Sequence, residues 1–281
     1  MTFERFLTKG YLDQPREVSL ETLAKCNAAC TFCPYPTLER IGTKMPDHLI
    51  SRLIGEMAKF EHPFFFSPFK VNEPFLDKRL QSICQTFEAD VPHGTLRLFS
   101  NGSPLTPANV EWVAGLKRLS HMWISLNEHV PDRYEKLMAI PFERTANNLD
   151  ALHQLVASGD FTHPVVLSTV GSPNEPFKYY CWRRWPLFQT AVLKKDAWIN
   201  YTEAQIKLVP DEPCWRWLEL NVTAAGRVVY CCMTDGNSEE HYIGDLNKQT
   251  LLEVYNTPFW RERREKVMSR RLLDICKTCT Y

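Results

Sequence analysis

Apolar and polar residues alternate from Glu17 through Leu23, which predicts a strand running into the loop that follows. Over residues 47–59, Leu49, Leu53, Ile54 and Met57 recur at helical spacing. These two periods then trade places along the chain. Residues 64–66, 95–100, 122–126 and 165–170 read as strands, and residues 76–87, 107–116 and 144–157 as helices. Residues 178–193 read as a helix broken at Pro186, and residues 197–202 as a last strand. About six such alternations over residues 17–203 predict an α/β fold with a parallel sheet and helical crossovers. In such folds the chemistry gathers beyond the carboxyl ends of the strands. After residue 205 the pattern changes. Residues 217–222 and 227–231 alternate around Ala224-Ala225-Gly226 as a hairpin, and residues 250–271 read as a helix ending before Cys276. The expected organisation is a lead-in at 1–16, an α/β body at 17–205 and a small domain at 206–281.

Two counts in the 281 residues change this picture. There are 11 glycines, against roughly 20 at ordinary usage, and ten cysteines. No G-x-G-x-x-G or Walker loop occurs, so phosphate binding by a glycine-rich loop is excluded. The net charge is zero, which argues against a nucleic-acid-coating protein. No stretch approaches a membrane span and the N-terminus lacks a signal-like apolar run, so the expected location is the cytoplasm. There, clustered thiols bind metal or do chemistry rather than form disulfides. The eight histidines show no metal-binding spacing.

Cys26, Cys30 and Cys33 stand as C-x3-C-x2-C directly after the first strand. Structural zinc prefers four ligands, and no histidine lies nearby. Three thiolates instead suit a [4Fe-4S] cluster with one iron left open. Cys214, Cys231 or Cys232, Cys276 and Cys279 can supply four thiolates to a second centre. On chemistry alone this is either an all-thiolate zinc site or a second [4Fe-4S] cluster. Cys84 reads as a small buried residue, and Cys181 lies in the aromatic and basic run Phe177-Lys-Tyr-Tyr-Cys181-Trp-Arg-Arg-Trp185.

The motif Cys26-Asn-Ala-Ala-Cys30-Thr-Phe32-Cys33 resembles the hallmark of the radical S-adenosylmethionine (SAM) superfamily. The resemblance implies a partial (β/α)6 barrel in which the open iron chelates SAM. Reductive cleavage of SAM to a 5′-deoxyadenosyl radical then abstracts a substrate hydrogen. Asn72-Glu73-Pro74 resembles the family's Gly-Glu-Pro motif, so Glu73 is implied to bind the SAM ammonium, although the family's glycine is replaced in Phe69-Lys-Val-Asn72. Ser100-Asn101-Gly102 resembles the family's Thr-Asn-Gly. Ser125 and Asn127, and Ser168 on the fifth strand, occupy positions implied to contact SAM.

Cys214, Gly226-x4-Cys231, Gly244-Asp245 and the closing Cys276-x2-Cys279 resemble the SPASM/Twitch extension, in which a hairpin and helix hold an auxiliary [4Fe-4S] cluster. By that resemblance Cys231 is the ligand, since Cys232 on a strand would point to the opposite face. The compact layout is similar to that of the aminocyclitol dehydrogenases of this superfamily. It implies dehydrogenation of a small molecule, with a flavodoxin or ferredoxin as electron donor. The alternatives are a maturase of ribosomal peptides, with Cys181 as hydrogen donor if it epimerises, or a non-catalytic metal scaffold. Only 25 residues precede Cys26, fewer than the precursor-binding domain many maturases carry, which favours a small molecule or a short peptide.

Overall fold

The computed structural model describes residues 3–170, 174–196, 198, 201–204, 208–266, 269–273 and 276–281. Its strands are β1 (Glu17–Leu20), β2 (Phe64–Ser67), β3 (Gly94–Ser100), β4 (Leu119–Ser125), β5 (Val165–Val170), β6 (Gln189–Leu193), β7 (Glu219–Val222), β8 (Arg227–Val229) and β9 (Tyr242–Asp245). Its helices are α1 (Phe3–Phe6), α2 (Asp47–Met57), α3 (Leu80–Asp90), α4 (Pro107–Ala114), α5 (Pro131–Met138), α6 (Phe142–Ser158), α7 (Asn174–Arg184), α8 (Leu251–Tyr255) and α9 (Pro258–Lys266). Among the described residues none of these helices is long and apolar enough to cross a membrane.

All nine strands lie in one open sheet of order β6-β5-β4-β3-β2-β1-β7-β8-β9. Strands β1 to β6 are parallel neighbours in chain order, each joined to the next by a crossover that carries helix, so the body is a six-stranded partial barrel. The expected C-terminal hairpin is β7 and β8, turning at Gly226, whose φ of +79° suits glycine. It is not detached. Strand β7 pairs in parallel with β1 in the register Glu17↔Glu219 to Leu20↔Val222, so the barrel sheet runs on into the cysteine-rich segment.

Alternation along the strands divides the sheet's two faces. Val18, Leu20, Phe66, Leu96, Leu98, Leu220 and Val222 are buried in one apolar core with Leu49, Leu53, Ile54 and Met57 of α2. On the inner face, Glu17 accepts from Ser67 Oγ at 2.6 Å and pairs with Arg97 at 2.7 Å. Arg97 also lies 3.5 Å from the Phe65 ring centroid, and Phe99 stacks on Phe69.

Two of the expected helices differ in the structure. Residues 178–193 are not one kinked helix, because α7 ends at Arg184 before Pro186 and Gln189–Leu193 is the sixth strand, paired with β5. Proline stops the helix, and the following Thr and Val suit an edge strand. The strand expected at 197–202 lies in part outside the described residues. Residues 250–271 do not form one helix either. Pro258 cannot donate to a preceding turn, so α8 ends at Tyr255 and α9 restarts at Pro258. Helix α5 was not expected, and it proves important to the first cysteine group.

A buried ion pair beside the first loop is linked by hydrogen bonds to the 224–235 segment. Arg40 Nε lies 2.5 Å from Glu21 Oε2, with the two side chains 9% and 0% exposed. The same carboxylate accepts from Ala224 N at 3.1 Å, and Arg40 Nη1 donates to Asp235 O at 2.5 Å. Arg40→Leu leaves Glu21 without its cation inside the protein and should cost about 3–5 kcal/mol of unfolding free energy. Lys178→Ala, which breaks the exposed pair with Glu175, should cost under about 0.5 kcal/mol. Denaturant unfolding of the anaerobically loaded protein measures both, and equal effects would show that the Glu21–Arg40 pair is not a structural fastening.

Candidate metal centres

The first thiol group sits in the loop that leaves β1. Cys26, Cys30 and Cys33 are each half-buried, and Ala28 N points at Cys26 Sγ, 3.4 Å away. The loop is held from the side by the end of α5. Ala29 N donates to Met138 O at 3.1 Å and Thr31 N to Leu137 O at 3.0 Å, so carbonyls left free by the helix terminus anchor the cysteines. The thioether of Met138, itself 1% exposed, lies 3.3 Å from Cys30 Sγ and 3.1 Å from Asn127 Nδ2.

Glu73 forms the second wall. It is 2% exposed, and its carboxylate accepts from Phe75 N at 3.2 Å, Ser100 Oγ at 3.0 Å and Asn101 N at 2.6 Å. Burial pushes its pKa up to about 7 against these three donors. Asn101 Nδ2 donates to Asn27 Oδ1 at 2.8 Å, so the Ser100-Asn101 corner links Glu73 to the residue beside Cys26. Asn72 Oδ1 accepts from Lys70 N at 2.9 Å, while its buried Nδ2 has no partner among the described residues.

Asn127 takes a left-handed backbone, φ +62°, just past β4, and its buried Oδ1 has no partner among the described residues. Ser125 stands half-buried beside it. The Ser168 hydroxyl, by contrast, is engaged at 2.8 Å by Trp123 Nε1. Phe32 lines a cavity of about 370 Å³ at the mouth of the barrel with Thr31, Leu137, Val170, Lys195 and Glu203. Cys181 lies elsewhere. It is fully buried on the core side of α7, in the apolar cluster that fills the space between helices and sheet. Arg184 in the same helix pairs with Asp150 at 2.7 Å. A hydrogen donor must reach the inner face of the sheet, whereas Cys181 is enclosed in the apolar core.

The second group gathers around the loop after β8. Cys214, Cys231 and Cys276 are buried, and Cys232 and Cys279 are half-buried. Because β8 ends at Val229, Cys231 and Cys232 both lie beyond the strand. The opposite-face argument against Cys232 therefore does not apply. Cys231 Sγ accepts from Met233 N at 3.3 Å. The hydrogen bond with Cys231, then Arg216 and Lys70, draws the pKa of the Cys232 thiol down to about 6 against burial. Both thiols act electrostatically on Cys214 or are acted on by it.

The donor sets fit iron–sulfur clusters. Burial, together with Glu73 and Cys33 and against the Ala28 amide, pushes Cys26 up to about 12, a cost that a cationic metal removes by taking thiolates. Among the described residues no three His, Cys, Asp or Glu side chains converge as the ligands of a single ion do. A cluster asks for one thiolate per iron, a wider spacing. The second group is ringed by Lys70, 4% exposed, Arg270, 3% exposed, and Arg216, whose charge burial opposes and Cys232 and Glu219 support. Buried cations of this kind suit a net-negative tetrathiolate cluster. Sequence reasoning missed Met138, Lys70, Arg216 and Arg270. Only Lys70 had a signal, as it lies in the segment where the family's glycine is missing.

Residues 214–280 match the SPASM family, an iron–sulfur cluster-binding domain. A comparison with curated proteins gives no match. Among solved structures, BtrN in complex with AdoMet and 2-DOIA is similar with a TM-score of 0.68 at 16% identity, over 95% of this chain and 93% of that one. Streptococcus suis SuiB bound to the precursor peptide SuiA is similar with a TM-score of 0.70 at 13% identity, over 98% of this chain and 72% of that one. The anSMEcpe structure with bound AdoMet has a TM-score of 0.63 at 12% identity, over 88% and 81%. Residues 214–280 thus match the SPASM iron–sulfur cluster-binding domain, and along its length the chain has the fold shared by BtrN, SuiB and anSMEcpe.

Proposed function

We propose that the chain cleaves SAM reductively and dehydrogenates a small molecule at an unactivated C–H bond. In this reading residues 17–205 bind SAM and substrate, and residues 206–281 hold the auxiliary cluster. Cys26, Cys30 and Cys33 would hold the first [4Fe-4S] cluster, and Cys214, Cys231, Cys276 and Cys279 the second. When bound, these groups and SAM supply the hydrogen-atom abstraction and electron acceptance that no side chain can provide.

The protein's own residues bind and orient. The Glu73 carboxylate, fixed by Ser100 and Asn101, offers its remaining lone pairs to the SAM ammonium. Asn127 Oδ1 and Asn72 Nδ2, without a partner among the described residues, are a ready acceptor and donor beside it. Phe32, with Leu137 and Val170, gives the cavity at the barrel mouth an apolar wall against which substrate or SAM would pack.

The observation that carries dehydrogenation is the second thiol group. It has enough thiols to close all four cluster corners, it lies among the buried cations Lys70 and Arg270 and the partly buried Arg216, and it is fastened to the barrel by β1–β7 pairing. That is the setting of an electron acceptor rather than a substrate-binding iron. The likeness to the BtrN complex with 2-DOIA supports a small molecule. The likeness to SuiB bound to SuiA, over 98% of this chain, keeps a peptide as the second reading.

Anaerobic protein should carry about eight irons per chain, two clusters of four. Changing Cys26, Cys30 and Cys33 to Ala should leave about four and abolish 5′-deoxyadenosine formation with dithionite. Zinc in the second site, or SAM cleavage by the triple variant, would sink the reading. Glu73→Gln should weaken SAM binding about ten- to hundred-fold with iron unchanged, the loss of one charge-assisted contact. Equilibrium binding of labelled SAM tests it, and unaltered affinity would remove Glu73 from the site. Polyols or amino sugars deuterated at the reacting carbon should pass deuterium into 5′-deoxyadenosine and yield the ketone. Transfer only from peptides would favour the second reading.

A further inference from the structure

Lys70 lies in the loop after β2, where its backbone N donates to Asn72 Oδ1 at 2.9 Å. Its side chain is 4% exposed, and Nζ donates to Thr234 O at 2.5 Å, two residues past Cys232. Arg40 makes the matching contact to Asp235 O, but its charge is met by Glu21. Lys70 has no carboxylate within ion-pair distance among the described residues. The anionic groups its charge can reach are Glu21, already paired, and the thiols of Cys232 and Cys231. Its charge also acts on Cys33 of the first group, favouring the thiolate there. A buried ammonium without its own counter-ion is costly, and a net-negative cluster beside it removes that cost.

We propose that Lys70 is a positioning residue for the auxiliary cluster, holding the 231–234 loop and raising the cluster's reduction potential so that it can take an electron from the substrate. This deepens the dehydrogenase reading and rests on it. A cation close to a cluster favours the more negative, reduced state, and net charge and hydrogen bonding are among the terms that set cluster potentials. Arg216 and Arg270 also face this group, but Arg216 is bonded to Glu219 at 2.9 Å and Arg270 Nε to Glu212 O at 3.0 Å. Lys70 alone of the three touches the loop that carries Cys231 and Cys232 through a backbone carbonyl, so it sets both the place of the loop and the field at it.

The test is a redox titration, monitored by electron paramagnetic resonance, of the full chain bearing Cys26→Ala, Cys30→Ala and Cys33→Ala, in which only the auxiliary cluster remains. Lys70→Met and Lys70→Gln should shift its midpoint to more negative potential at unchanged iron content. Lys70→Arg should stay near the parent. Lys70→Gln keeps a donor for Thr234 O without the charge, so it separates field from fastening. A neutral variant that titrates at the parent midpoint overturns the proposal. It is also overturned if both neutral variants lose their iron, since the role would then be assembly rather than tuning. A parent without iron in the second site would overturn the cluster assignment itself, a failure distinct from an unshifted midpoint.

Discussion

Strand β1 has a parallel neighbour on each edge, β2 on one side and β7 on the other, and both metal centres hang from this triple. The chain leaves β1 into the loop of Cys26, Cys30 and Cys33, and leaves β8, hydrogen-bonded to β7, into the loop of Cys231 and Cys232. A backbone ladder therefore sets the separation of the two thiol groups, and ladders do not stretch. Glu21, at the exit of β1, reinforces this by bonding Arg40 beyond the first loop and Ala224 in the hairpin turn. Electron passage falls steeply with distance, so a rigid gap is what two cooperating centres require.

The formal charge of zero hides an uneven internal distribution of charge. Around the first group the fixed ionisable side chain is the carboxylate of Glu73, with orphaned amide atoms of Asn72 and Asn127 nearby. That is a setting for a ligand bearing positive charge together with polar edges. Around the second group lie three cations, Lys70, Arg216 and Arg270, with the buried carboxylates of Glu219 and Glu17 beside them. Each environment is the complement of a different guest. Such sorting costs stability in the empty chain and returns it when the guests bind.

The sequence displayed the parts of this architecture that are local. Strand periods, the proline at the start of α4 and the close spacing of the cysteines are all readable within a few residues, and so the order of strands β1 to β5 and both thiol groups were visible. What it concealed depends on contacts between distant segments. Nothing in Pro131–Met138 announces that its last carbonyls will receive Ala29 and Thr31. Lys70 meets Thr234 only because β1 joins β2 to β7. Strand β6 was hidden for a different reason, as five residues after Pro186 give too short a run to separate strand from helix. The choice between Cys231 and Cys232 leaned on strand alternation where the strand had already ended.

Met138 ties the first centre to chemistry of another kind. Its sulfur lies between Cys30 Sγ and the Asn127 amide, fully enclosed, where a compact apolar atom fits. Oxidation to the sulfoxide adds a polar oxygen at that point and displaces one neighbour or the other. Iron and sulfide can be restored to a chain that has met air, but the sulfoxide is not reduced by either. Damage from oxygen would thus outlast the loss of the cluster, written into a methionine and reversible only by an enzyme that repairs it.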